Sequence, residues 1–357
     1  MNFTDEQLEV IQCPIDEKTL VIANPASGKT ACLIGRLKYL LDSGVDPTKI
    51  VAITFTNNAA NEMIERLGDS YKPGLFIGTM HSYANYRLQS FGIDTSYVLS
   101  DKVFDELFEL VQSNQHVLEE LDYLLCDESQ DLDEFQMEFI TELLRFKGCL
   151  IVGDPKQTIY DFRGSDPRLI LRLANNGEYV IRNLTKNFRN ALQIFEYSND
   201  IMSLMTDVTS RKSECMRTNE GSIEFINFYG IPELIQDSVN NYTSSYKDWA
   251  VLCRSNNKVY QVTSLLERYG IPCINFRQAE YTSDQLKALM GMDAVKVLTI
   301  HSSKGLEFPR VVLCDISFKK QEEIRLSYVG VTRAENYLYL MKGGNNFVRA
   351  KKGTYVW

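Results

Sequence analysis

Two short stretches hold residue types suited to a nucleotide phosphate. In VIANPASGKTACLIGRL, Ala23-x4-Gly28-Lys29-Thr30 lies between an apolar run and an amphipathic one. A tight loop there would turn backbone N–H groups and a helix N-terminus toward phosphate oxygens. Lys29 would neutralise the outer phosphates of ATP, and the Thr30 hydroxyl would ligate Mg²⁺. The expected cradle is Ala23, Asn24, Pro25, Ala26, Ser27, Gly28, Lys29 and Thr30. The pattern usually begins with glycine, where Ala23 stands. Ala26 carries a Cβ close to where phosphate must lie, so some loss of fit is expected. The second stretch, LDYLLCDESQD, delivers Asp127 and Glu128 at the end of an apolar run. Asp127 would hold Mg²⁺ through water, and Glu128 would take a proton from the attacking water. The plainer alternative is a carboxylate pair capping the helix DLDEFQMEFITELL.

Such loops need rigid strands beneath them. KTLVIA, KIVAITF, LDYLLCDE and GCLIVGD alternate with amphipathic stretches such as ACLIGRLKYLL. That rhythm predicts a doubly wound parallel sheet, with ligands at the carboxyl ends of its strands. A second set, EYVIRNL, SIEFINF, WAVLCRS, VKVLTIH and RVVLCDI, begins near residue 180. QVTSLLERYG and at least part of IRLSYVGVTRAENYLYLM are expected to be helical. Two α/β lobes follow, residues 1–182 and 183–357. The chain is 44% hydrophobic and 24% charged, as globular proteins are. Its 8 cysteines form no CxxC pair and no zinc spacing with histidine, which points to buried thiols in a reducing cytoplasm. No signal-peptide pattern and no long apolar run is present, so no membrane partner is expected. The net charge of −9 argues against a general nucleic-acid surface but leaves room for a local basic cleft.

Further stretches follow a recognisable order from residue 3 to about residue 340. FTDEQLEVIQ, ITFTNNAANEMIERL, GTMHSYANYRL and LIVGDPKQTIYDFRGSD resemble the glutamine motif and motifs Ia, Ib and III of the UvrD/Rep/PcrA-like superfamily 1A helicases. LTKNFRN, VKVLTIHSSKGLEF and LSYVGVTRAENYLYL resemble motifs IV, V and VI. WAVLCRSNNKVYQVTSLLERYGIP resembles a strand and helix of the family's second lobe. The resemblance implies two RecA-like lobes of the P-loop NTPase class, fuelled by ATP with Mg²⁺ and moving 3′→5′ on single-stranded DNA. It implies that Gln7 reads adenine, Phe188 stacks on it, and Glu307 accepts from the ribose, with Gly305 allowing close approach. Gln157 would sense the γ-phosphate and the attacking water, while Arg189 and Arg333 would stabilise charge on the transferring phosphoryl group. Phe55, Asn57, His81, Tyr160, Phe162, Arg254, Asn256 and His301 would form the strand track. Tyr160 and Phe162 alternate, so in an extended segment they would project the same way. His81 and His301 are expected as hydrogen-bonding residues, not metal ligands. Core packing is the plain alternative for each aromatic residue, and a surface ion pair for each arginine.

The departures are specific. Asn24 and Ala26 stand where the family often has glycine, Asn58 where lysine is usual, and Ser129 where a bulky residue is usual. Only residues 83–125 and 277–294 lie where larger relatives insert accessory domains. The first insert is acidic and amphipathic, so we expect packing against its lobe, and weak unwinding at single-strand/duplex junctions. Rival functions are an ATP-gated regulatory subunit of a nuclease, repair or defence complex, and an RNA helicase. Replication, repair and defence in a bacterial or phage-infected cell all use such motors.

Overall fold

The computed structural model describes residues 3–96, 98, 103–208, 213–276 and 281–341. The chain divides into two compact units, Met1–Thr185 and Lys186–Trp357. Both are α/β units of the RecA-like kind, each built on a six-stranded parallel sheet.

In the first unit the strands are β1 (Lys18–Ala23), β2 (Ile50–Thr54), β3 (Phe76–Thr79), β4 (Leu121–Cys126), β5 (Phe146–Gly153) and β6 (Val180–Leu184). Their spatial order is β3-β2-β4-β5-β1-β6, with every pairing parallel. The strands are nearly continuous apolar runs because helices cover both faces. Leu20 and Ile22 of β1 enter one core cluster, and Val21 and Ala23 enter the other. Helices α1 (Asp5–Ile11), α2 (Lys29–Asp42) and α3 (Asn57–Leu67) contribute to the second cluster. Helices α4 (Met80–Ser90), α5 (Val103–Ser113), α6 (Glu134–Glu138) and α7 (Pro167–Asn175) contribute to the first. The insert behaves as its amphipathic pattern predicts over its described part: Leu107, Phe108 and Val111 of α5 are core residues.

The run EYVIRNL, expected to open the second set, closes the first sheet instead. Thr19 to Ala23 pair in register with Val180 to Leu184, and Arg182 forms an ion pair with Glu17 at 2.9 Å. The expected boundary after residue 182 therefore falls inside β6. Strand pairing decides this, and an apolar run does not reveal its partner.

In the second unit, β7 (Lys186–Asn187) pairs with β8 (Glu214–Cys215). The main sheet comprises β9 (Ser222–Ile226), β10 (Trp249–Cys253), β11 (Cys273–Asn275), β12 (Val295–Thr299), β13 (Phe308–Leu313) and β14 (Ala334–Met341). Their order is β11-β12-β10-β13-β14-β9, again all parallel. The helices are α8 (Leu192–Met202), α9 (Ile231–Asn240), α10 (Asn256–Arg268), α11 (Ser283–Gly291) and α12 (Gln321–Val331). Trp249, wholly buried, stacks on Tyr339 with ring centroids 5.4 Å apart. IRLSYVGVTRAENYLYLM is helical only through Val331; from Ala334 it is β14. Among the described residues, no helix is long and apolar enough to cross a membrane.

Candidate nucleotide and strand site

The phosphate loop leaves the carboxyl end of β1, held by Asn24 N–H donating to Leu184 O at 2.8 Å. It closes on itself where Ser27 Oγ donates to Asn24 O at 2.7 Å. Ala26 and Gly28 both adopt left-handed backbone, with φ of 58° and 82°. For alanine that conformation costs roughly 1–2 kcal/mol, a backbone strain separate from the Cβ misfit expected at Ala26. Strain of this kind collects at ligand cradles. Gly28 caps α2 with no side-chain acceptor, which leaves the N-terminus of a 14-residue helix to be satisfied otherwise. Lys29 and Thr30 are its first two residues. This donor set fits a phosphate.

Gln7 is committed to local work. Its Oε1 accepts from Thr4 N–H at 3.0 Å in a reciprocal helix cap, and its Nε2 donates to Ser27 O at 3.0 Å. One further hydrogen and one further lone pair on the amide are left for an adenine edge. Glu6, its neighbour, accepts from Thr185 N–H and Oγ1–H at 2.9 and 2.6 Å.

Asp127 and Glu128 follow β4, two strands from β1, or about 10 Å at ordinary strand spacing. The capping alternative is excluded for α6: Asp133 caps it, in a reciprocal pair with Gln136. Asp127 Oδ1 instead accepts from Glu128 N–H at 2.9 Å. Glu128 has φ of 50°, a second left-handed non-glycine residue at the same edge. Gln130 Nε2 donates to the Glu128 carboxylate, and Gln130 Oε1 accepts from Asp154 N–H at 2.9 Å. Gln157, which follows β5 between these strands, is buried, with Nε2 donating to Asp154 Oδ2 at 2.7 Å. Lys156, also buried, donates from Nζ to Asn24 Oδ1 at 2.5 Å. Gln130, Asp154 and Lys156 were not singled out from the sequence; only their position inside quoted motifs hinted at them.

The aromatic track is contiguous in this unit. Phe55, after β2, stacks on Tyr160 with centroids 5.4 Å apart, and Tyr160 meets Phe162 edge-to-face at 5.9 Å. The Arg163 guanidinium lies over both rings, 5.5 and 5.8 Å from their centroids. Asp161–Arg163 is a 3₁₀ turn, not the expected extended segment, so the rings meet through a turn and not through strand alternation. Burial pushes the Tyr160 phenol up, whereas Phe162 is 71% exposed. Asn57 opens α3, capped by Thr56. His81 lies in the first turn of α4, and burial lowers its pKa below 6.5.

In the second unit, the proposed strand residues follow neighbouring strands: Arg254 and Asn256 after β10, and His301 after β12. Glu323 accepts from Ser317 Oγ at 2.5 Å and from Arg254 Nη2 at 2.5 Å, and these partners hold its carboxyl down at about 2. The proposed nucleotide residues gather at the opposite, amino end of the sheet. Glu307 precedes β13 and pairs with Arg189 Nε at 2.6 Å, so these two side chains, given separate roles above, bind each other. Arg333, just before β14, donates to Val329 O, Leu306 O and Thr332 Oγ1 at 3.0, 3.3 and 3.1 Å. Asn190 is another residue the sequence did not single out. It ties the segment around Arg189 to β14, donating to Thr332 O at 3.3 Å and Ala334 O at 2.5 Å. Phe188 is 41% exposed, and Gly305, with φ of 83°, faces open space.

Family models match stretches of both units. Residues 3–106 and 100–178 match the UvrD/REP helicase N-terminal domain, and residues 276–343 match the UvrD-like helicase C-terminal domain. The chain is 24% identical to the putative ATP-dependent DNA helicase R568 of Acanthamoeba polyphaga mimivirus, over 97% of this chain and 54% of that protein. It is 23% identical to the ATP-dependent DNA helicase PcrA of Bacillus subtilis, over 76% of this chain and 51% of PcrA. It is also 23% identical to the Gabija protein GajB of Bacillus cereus, over 92% of this chain and 93% of GajB. The chain thus spans about half the length of the first two relatives and nearly all of the third. It belongs to the UvrD/Rep/PcrA-like group of superfamily 1A helicases.

Proposed function

We propose that the chain is an ATP-hydrolysing motor that moves 3′→5′ along single-stranded DNA. One observation carries this. The phosphate loop, the Asp127–Glu128 pair, Gln157 and the Phe55–Tyr160–Phe162 rings share one edge of one sheet, and buried or part-buried hydrogen bonds of Gln130, Asp154 and Lys156 connect the first three. Loop N–H groups and Lys29 would bind the phosphates, and Glu128 would accept the proton of the attacking water, which Gln157 orients. Thr30 and Asp127 would hold Mg²⁺, which supplies charge neutralisation when bound. Arg189 and Arg333 would add positive charge during phosphoryl transfer. Bases would stack on the exposed face of Phe162, a sequence-tolerant contact. The direction of travel rests on the family resemblance. The packing of Leu107, Phe108 and Val111 of α5 in the core supports weak unwinding at single-strand/duplex junctions, because these side chains are not available to grip a duplex.

The test is phosphate release with and without single-stranded DNA, with RNA as competitor. Turnover that rises severalfold with DNA and resists RNA is expected. Preferential stimulation by RNA would make the chain an RNA translocase. The strained Ala26 favours one rival, an ATP-gated binding subunit serving a nuclease or other partner. Nucleotide binding without strand-stimulated turnover would select it.

A further inference from the structure

Asn24 gives the phosphate loop a side chain with two attachments. Its Nδ2 donates to Thr185 O at 3.3 Å, beyond the end of β6, and its Oδ1 accepts from Lys156 Nζ at 2.5 Å. Lys156 is 2% exposed, and Asp154, with a carboxylate oxygen 4.0 Å from the Lys156 ammonium, is wholly buried. Asp154 also accepts from Lys156 N–H at 3.2 Å and from Gln157 Nε2 at 2.7 Å. Lys156 and Gln157 belong to one three-residue turn, Pro155–Gln157, and the chain reaches Tyr160 three residues later. A continuous path therefore runs from the phosphate loop through Asn24 and Lys156 to the ring that stacks on Phe55.

Burying an ammonium is costly unless strong acceptors surround it, and a neutral amide oxygen is a weaker partner than a charged one. The Asn24 end of this path is therefore the replaceable end. Negative charge arriving in the loop competes with the amide for the same cation. Resting on the ATP-motor reading above, we propose that Asn24 and Lys156 form a latch that couples filling of the phosphate loop to the strand-binding rings. Both are positioning residues. The latch loosens when phosphate fills the loop and re-forms when the loop empties, and the Pro155–Gln157 turn carries the change to Tyr160.

The experiment is equilibrium binding of a fluorescent poly-thymidine strand by the full chain, with and without a non-hydrolysable ATP analogue. The quantity read is the ratio of the two affinities. Asn24→Gly and Lys156→Met should each bring that ratio about fivefold closer to one, and the double variant should go no further, as for two residues acting as one unit. Asn24→Ser, which keeps an oxygen, should recover part of the ratio. A ratio unchanged in Asn24→Gly, or losses that multiply in the double variant, would overturn the latch. If Lys156→Met unfolds because Asp154 loses its partner, Asn24→Gly and Asn24→Ser decide the question, with melting temperatures matching the parent. This readout needs no hydrolysis. A chain that binds but does not turn over would therefore sink the motor reading alone. A wild-type ratio of one would sink the latch.

Discussion

In the first unit, phosphate chemistry and strand track follow the same carboxyl ends of β1, β5, β4 and β2, and the Pro155–Gln157 turn that bonds to the phosphate loop lies three residues before Tyr160. In the second unit they are separated by the length of the sheet. Arg254, Asn256 and His301 lie at the carboxyl ends, whereas Arg189, Glu307 and Arg333 lie at the amino ends. A strand of five or six residues spans roughly 17–20 Å. Within the first unit a local rearrangement suffices to connect nucleotide and strand. Within the second, the same message must travel as movement of a rigid strand or helix. The first unit is therefore the place where point substitutions should uncouple the two events, and the second is where they should weaken each event separately.

The largest expected effect is at the shared edge. Lys29→Ala should bring phosphate release to background, a loss of at least about a hundredfold, with an unchanged melting temperature because Lys29 supports no core. Retained turnover in a folded variant would break the phosphate-loop assignment. Glu128→Gln keeps the shape and loses the base, so turnover should fall by about 10²-fold or more while ATP still binds. Loss of ATP binding as well would make Glu128 a structural residue. A smaller effect separates the two tracks. Phe162→Ala should weaken strand binding by about tenfold, in line with one lost base stack, and should uncouple hydrolysis from movement. Arg254→Ala should weaken binding without uncoupling. A stability loss of about 3–5 kcal/mol at Phe162 would instead mark it as core, and equal uncoupling by both variants would erase the contrast between the units.

The smallest expected effect is on pH dependence. His81 has its pKa lowered by burial, so the unfolded chain takes up a proton more readily than the folded one. Stability should therefore fall as pH drops below 6.5 toward the depressed value. Urea denaturation at a series of pH values should show a shallower acid slope for His81→Gln. An unchanged slope would show that burial of this imidazole does not govern the acid side.

By itself, the sequence determined the parallel α/β architecture and most of the strands. Apolar runs of strand length between amphipathic stretches leave few alternatives, and phosphate loops are local structures whose spacing is their geometry. It also marked Asp127 and Glu128 as ending a buried strand. What it left undecided was either a choice among neighbouring residues or a partner distant in the chain. EYVIRNL joined the first sheet because β1 offered it a parallel edge. Asp133 and not the Asp127–Glu128 pair capped α6, which a choice among nearby carboxylates does not reveal. Tyr160 and Phe162 met through a 3₁₀ turn, where alternation had suggested a strand. Asn24 stands where the family often has glycine, and its bond to a buried lysine 132 residues away exists only in the folded chain. Hydrogen bonds and ion pairs between distant residues depend on which elements become neighbours, and only the packed tertiary structure fixes that.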